Sequence, residues 1–377
     1  MSNNFPIIVY GANGYTGKLI SEYLAKQKLP FIAAGRSQEK LEAAVAELPA
    51  GTQVQVKAVE HNEAALTELF QGASIVVNVV GPFGQLGEPV VKAALAAGCH
   101  YIDTTGEGDY AINMRDRYSD AYKAKDLVFI SACSYMWTAG MIAAELALED
   151  PEIHTLDILY APRSQPTVAS TLSFLRMGCL PQYFKEDGAL QVWPANTTLD
   201  VAVPGRHAIH VGLPWGGGFE PLWLENDPQV LTCKVMVAFP KGPLTDFVVN
   251  KIAQYHEIAD QHTPEELEQI TNEWGMLVAQ TPPKEIPHVN HNIISCWARG
   301  TTSGKHIVLY TSSAYLQTGA MVAEACRTIL TGGLLATGFQ SATKAIGLRQ
   351  LVGALVKEGL HCEIDGSVVK SKTAQIA

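Results

Sequence analysis

The sequence predicts an α/β protein: a doubly wound parallel sheet, an inserted α+β unit with a mostly antiparallel sheet, and C-terminal helices packing back on the first unit. Three observations carry this. Short apolar runs alternate with helical segments over residues 1–131, the pattern of successive βαβ units. The first run leads straight into Gly11, Gly14 and Gly17, a spacing that suits a turn from strand into helix. Past residue 131 the alternation stops, and longer, separated strand-like runs follow.

In chain order, strands are expected near 6–10, 31–35, 54–58, 75–80, 100–103 and 127–131, with helical segments at 17–26, 38–47, 63–70, 87–97 and 109–124. Gly98 is placed to cap the fourth helix. Beyond them, 155–160 reads as a strand, 168–177 as a helix, and 207–213 and 230–239 as strands. Residues 187–229, with Trp193, Trp215, Gly216, Gly217, Gly218 and Trp223, read as a long ordered loop. Thr263, Pro264 and Glu266 form a capping box that opens a helix over 264–280. Segments 293–299 and 306–311 flank a Gly-rich turn and predict an antiparallel hairpin. Gly319–Leu330 and Ala342–Lys357 are helical. The expected domains are 1–135, completed by 313–377, and 136–312.

The glycines predict a dinucleotide. Gly11 permits the turn off the strand, Gly14 lets a pyrophosphate approach the backbone, and Gly17 lets helix pack on strand. The following helix points its free N–H groups at the phosphates. The second strand ends in Gly35-Arg36-Ser37, with Arg36 standing 19 residues beyond Gly17. An NAD site has an acid there for the ribose hydroxyl. Arg36 instead suits a 2′-phosphate, Ser37 can donate to the same group, and Lys40 adds charge one turn on. The cofactor is therefore read as NADP(H).

Composition excludes several classes. The 377 residues are 47% hydrophobic and 17% charged, so a large core is available and disorder is not. A net charge of −10, with no basic run, argues against nucleic acid. Seven widely spaced cysteines without a Cys-x-x-Cys read as reduced thiols in a cytoplasmic protein. The N-terminus does not read as a signal peptide, and no apolar stretch is long enough to span a membrane. Mean hydropathy of +0.08 leaves apolar surface for a homodimer interface or a greasy substrate.

Ligands of doubly wound sheets bind at the carboxyl ends of the strands. There the sequence places Gly81-Pro82-Phe83 after the fourth strand, Asp103 to Glu107 after the fifth, and Ser131 to Tyr135 after the sixth. The motifs Gly11–Gly17, Gly35-Arg36-Ser37, Asn78–Phe83 and Tyr101–Glu107 resemble the saccharopine dehydrogenase-like oxidoreductases, nearest to their trans-acting enoyl reductase branch. The resemblance covers residues 5–135 and resumes weakly at 332–338. It implies a Rossmann-type NADP-binding domain in which Gly11, Asn13, Gly14, Tyr15, Thr16 and Gly17 hold the pyrophosphate. It also implies that Arg36 and Ser37 hold the 2′-phosphate and that Gly81, Pro82 and Phe83 flank the nicotinamide ribose. One departure stands out: the branch reads Cys-Gly-Phe-Asp after the sixth strand, and this chain has Cys133-Ser134-Tyr135-Met136.

Hydride transfer usually needs a proton source. Tyr135, Glu107, Asp103 and His100 are the candidates; Tyr135 equally reads as a pocket wall, and the two acids as helix caps. Cys133 reads as a packed residue. No Tyr is followed four residues later by Lys, so the short-chain dehydrogenase pair is absent. His207/His210 and His288/His291 lack the geometry of metal ligands, and no metal site is expected. The resemblance thus implies hydride transfer onto the activated C=C of an apolar or acyl-type small molecule. The alternatives are saccharopine-type C=N chemistry and a non-catalytic NADP-binding scaffold. Few arginines in the middle region (Arg163, Arg176, Arg206, Arg299) argue against a substrate with several carboxylates.

Overall fold

A computed structural model of the chain describes residues 4–215, 218–281, 285–286, 289–365 and 367–368. The first unit runs β1 (Ile7–Tyr10), α1 (Tyr15–Lys26), β2 (Phe31–Gly35), α2 (Gln38–Ala46), β3 (Val54–Ala58), α3 (Glu63–Phe70), β4 (Ile75–Asn78), α4 (Phe83–Ala97), β5 (His100–Asp103), α5 (Gly108–Lys123) and β6 (Val128–Ile130). β1, β2, β4 and β6 are buried along their whole length, so they read as apolar runs rather than alternating ones. α4 starts earlier than the sequence suggested, because Pro82 precedes its first turn and Glu107 caps it from another element. Gly98 is left-handed at φ 75° and closes it, as expected.

The second unit follows as α6 (Tyr135–Leu148), β7 (Ile153–Ala161), α7 (Val168–Cys179), β8 (Tyr183–Glu186), β9 (Ala189–Val192), β10 (Leu199–Ala202), β11 (Ile209–Leu213), α8 (Glu220–Trp223), β12 (Thr232–Pro240), α9 (Pro243–Ile258), α10 (Pro264–Val278), β13 (Asn292–Gly300) and β14 (Gly304–Thr311). The chain ends with α11 (Ala314–Leu330), β15 (Gly338–Gln340), α12 (Ala342–Ile346), α13 (Leu348–Lys357), β16 (His361–Ile364) and β17 (Ser367–Val368).

The first sheet has the order β15-β6-β5-β4-β1-β2-β3, parallel throughout. The second is ten-stranded, with β10-β11-β12-β7-β13-β14-β16-β17 along its main path. Its pairings are antiparallel except β12 on β7.

α6 joins the two sheets. Trp137, Met141, Ile142, Ala143 and Ala144 are fully buried, and one apolar cluster runs from Val77 in the first sheet through this helix to Ile158 and Ile294 in the second. Such a helix is apolar all round and shows no amphipathic period, which is why no helix was read there. The capping box of α10 forms in both directions, Glu266 N to Thr263 Oγ1 at 3.2 Å and Thr263 N to Glu266 Oε2 at 2.8 Å.

Two expectations need correcting. The stretch read as a long ordered loop, 187–229, holds β9, β10 and α8 besides β11, which falls on the strand expected at 207–213; Gly216 and Gly217 lie outside the described residues. α9 was not foreseen. The C-terminal segment is not only helical: β15 extends the first sheet on β6, and β16 adds to the second on β14. α11 does return to the first unit, where a Cβ on Gly319 would meet the Tyr23 ring at 2.6 Å.

Candidate functional site

The glycine turn is built for close backbone approach. Gly11 has φ 96°, in the left-handed region. A Cβ on Gly17 would lie 2.2 Å from the Gly11 carbonyl oxygen, so only glycine lets α1 sit this close to the turn. α1 has no side-chain cap at Gly14, and a helix N-terminus left without one suits an anion. Gly35 ends β2 beside Asn13, whose Oδ1 would lie 3.0 Å from an added Cβ. Arg36 and Lys40 are exposed at that strand end, and Ser37 caps α2 by accepting from Lys40 N at 3.4 Å, which leaves its O–H free to donate. These residues fit a dinucleotide with a 2′-phosphate. Sequence reasoning missed their neighbour His61, which bonds Tyr10 Oη through Nδ1 at 2.8 Å; burial lowers its pKa, with Arg36 acting in the same direction.

A cavity of about 530 Å³ opens at the other end of this groove, between the two units. Thr16, Gly81, Pro82, Phe83 and Tyr135 line it from the first unit and the start of α6. Phe174, Leu213, Trp215, Phe239 and Val248 line it from the second, and Ala314, Tyr315 and Thr318 from α11. Its surface is therefore mostly apolar. Among the described residues, Glu107 is the one charged group in the lining, and no Lys or Arg is present.

Tyr135 is 3% exposed, and its hydroxyl has no hydrogen-bond partner. Its backbone N–H is held by Thr318 Oγ1 at 3.0 Å, and its ring packs edge-on against Tyr160 at 5.6 Å. Burial drives its pKa well above the ordinary phenol value, so it carries its proton at neutral pH. Glu107 is occupied. It accepts from Phe83 N and Gly84 N, both at 2.9 Å, and pairs with Arg176 of α7 at 3.1 Å. Burial raises its pKa, and Arg176 opposes the shift. The acid thus holds the Gly81–Phe83 turn and ties it to the second unit.

Asp103 stands behind the cavity. Ala132 N and Thr105 N donate to Oδ1 at 2.9 and 3.1 Å, and Ser131 Oγ donates at 3.2 Å. Burial nevertheless pushes its pKa up to about 7. His100 accepts from Val128 N at 3.1 Å, a bond between strand ends. Cys133 is fully buried, and burial raises its pKa well above the usual thiol value. His210 bonds the Ala208 carbonyl through Nδ1 at 2.9 Å; His288 lies outside the described residues. Among the described residues, no three His, Cys, Asp or Glu side chains group as metal ligands.

A buried pair behind the cavity wall carries no sequence signal. Tyr160 Oη lies 2.7 Å from both the Trp137 carbonyl and Glu220 Oε1, and receives Gly140 N–H at 2.6 Å. A hydroxyl has one proton to give. With that proton on the Trp137 carbonyl, Glu220 satisfies the group by donating, as a neutral acid. Burial raises Glu220 to about 8, which agrees.

Fold and site define a two-unit dinucleotide-binding protein of the doubly wound class, with a ligand cavity between the units. The chain belongs to the family of unknown function DUF5938, whose profile matches residues 138–369. Residues 7–126 match the model of the saccharopine dehydrogenase NADP binding domain. The lipid droplet localized protein of Caenorhabditis elegans is 34% identical over 143 residues, 35% of this chain and 34% of that protein. The human saccharopine dehydrogenase-like oxidoreductase is 32% identical over 147 residues, 35% and 34% of the two chains. A candidate trans-acting enoyl reductase of Mycobacterium tuberculosis is 34% identical over 137 residues, 35% and 32% of the two chains. Each match thus spans about a third of the relative's length. Apo saccharopine dehydrogenase (L-Glu forming) of Saccharomyces cerevisiae shares the fold over 95% of this chain and 99% of its own, at a TM-score of 0.63 and 13% identity.

Proposed function

We propose that the chain is an NADP(H)-dependent oxidoreductase that reduces the activated C=C bond of an apolar, acyl-type substrate lying between the two units. One observation carries the reading. A largely apolar cavity opens at the strand ends beside Gly81–Phe83, and a single unpartnered hydroxyl, Tyr135, is buried in its wall. NADPH supplies the hydride. The chain's own residues do the rest: Gly11 to Gly17 and Arg36 with Ser37 hold the cofactor, while the Phe174–Trp215–Phe239 wall excludes water. Tyr135 holds a proton where the substrate carbonyl gains negative charge. Glu107 acts as a positioning residue for the Gly81–Phe83 turn.

The lining supports this over a C=N substrate with several carboxylates, because no Lys or Arg reaches it. Arg176, which reaches the lining residue Glu107, is spent on Glu107 and Asp109 at 3.1 and 2.6 Å. The test is NADPH oxidation across a panel of enoyl thioesters and cyclic imines. Turnover confined to enoyl acceptors supports the proposal; turnover with imines alone overturns the substrate class. Seven unpaired, buried cysteines favour a reducing, cytoplasmic setting. Trp297, 55% exposed on the second sheet, favours a homodimer, which a monomer mass in solution would contradict.

A further inference from the structure

A second cavity of about 240 Å³ lies beyond the first. Phe174, Leu213 and Trp215 line both, so these side chains are the wall between them. Phe174 meets Trp215 edge-on at 4.8 Å and leans on Phe239 at 5.4 Å. Trp215 is backed by Trp137 at 5.6 Å, and Trp137 is fully buried. Phe174, on α7, and Trp215 are thus the two rings that stand between the cavities.

The second cavity is mostly apolar too, yet three residues of its lining carry buried polar atoms that packing leaves unsatisfied. The indole N–H groups of Trp193 and Trp215 are buried without an acceptor, and Gln182 Oε1 is buried without a donor. All three residues line this cavity. Buried polar groups are nearly always satisfied, so two orphan indole donors beside one space point to a ligand group that accepts hydrogen bonds.

We propose that Phe174 and Trp215 form an aromatic gate, and that the second cavity is a distal subsite for the oxygen-bearing tail of a long acyl substrate. The inference rests on the acyl reading above. The reacting end lies beside Tyr135, the chain passes between the two rings, and a distal hydroxyl, carbonyl or ester meets the indole N–H groups. Phe174 then sets the chain length the protein accepts.

The test separates the gate from the reaction. Wild type, Phe174→Ala and Ala195→Phe are titrated with a homologous series of saturated fatty acids and with the methyl monoesters of long dicarboxylic acids. Binding is read by tryptophan fluorescence and thermal shift. Ala195 is exposed and lines only the second cavity, so a ring there plugs the subsite without entering the core. Each methylene gained or lost changes affinity several-fold. Phe174→Ala raises the ratio of long- to short-chain affinity roughly tenfold, and Ala195→Phe lowers it by about as much. In wild type the terminal ester binds tighter than the plain acid of equal length. One chain-length profile shared by all three proteins overturns the gate, even if Phe174→Ala alone fails to fold and only Ala195→Phe can be compared. Wild type that turns over short enoyl acceptors yet binds no long acid also overturns the gate while the acyl reading stands. Gated binding without turnover of any enoyl acceptor supports the gate and removes the reaction.

Discussion

The two sheets record their purpose in different ways. In the first, the cofactor reading rests on single positions: a Cβ on Gly17 would lie 2.2 Å from the Gly11 carbonyl oxygen, and Arg36 stands where an acid would select another cofactor. In the second, function is a volume enclosed by Phe174, Leu213, Trp215 and Phe239, and other apolar residues of similar size could enclose it. Backbone constraints leave a motif. Apolar walls leave only composition.

The sharpest break in this comparison is Gly17→Val. The new side chain displaces α1 from the turn, so NADPH binding falls below detection while the second sheet keeps its fold. Titration with NADPH, alongside far-UV circular dichroism, checks both halves.

The next effect belongs to the second unit. Glu220 titrates near 8 in the folded chain against 4.5 for a free glutamate, so between those values the folded state keeps a proton the unfolded chain has lost. Stability is greatest below the lower value, falls by several kcal/mol as pH rises through that window, and levels off above it. Asp103, raised to about 7 from 3.8, bends the curve the same way over a lower window. Glu220→Gln removes most of the slope at the alkaline end; urea unfolding from pH 5 to 9 measures it. An equally steep curve in the variant would mean Glu220 is ionised when folded.

Tyr135→Phe comes third. Losing the proton lowers turnover by roughly 100-fold and leaves NADPH affinity unchanged; unchanged turnover removes Tyr135 as the donor. The smallest effect is Arg36→Ala, which weakens NADPH by about tenfold and leaves NADH as it was. Equal losses for both cofactors would take the 2′-phosphate away from Arg36.

What was legible follows the same division. β1, β2, β4 and β6 stand where their apolar runs predict, because fully buried parallel strands are apolar at every position. The capping box at Thr263 and the 292–311 hairpin were legible because their signals are local. α6 was not, since a helix buried on all sides shows no amphipathic period. β15 and β16 are three and four residues long and gain their order from β6 and β14, far away in the chain. Of the candidate site, Gly81–Phe83 and Tyr135, which line the cavity, were named from the strand-end rule. The Glu220–Tyr160 pair, the Arg176 clasp and the Phe174–Trp215 wall could not be, because each joins segments that meet only in the folded chain.

The most direct measurement is transfer of label from NADPH deuterated at its hydride position to an apolar enoyl thioester, read by mass spectrometry of the product. The account predicts steady NADPH oxidation, with the label on the carbon β to the carbonyl. Saturable NADPH binding with no oxidation by any enoyl or imine acceptor would contradict it and leave a protein that binds the cofactor without using it.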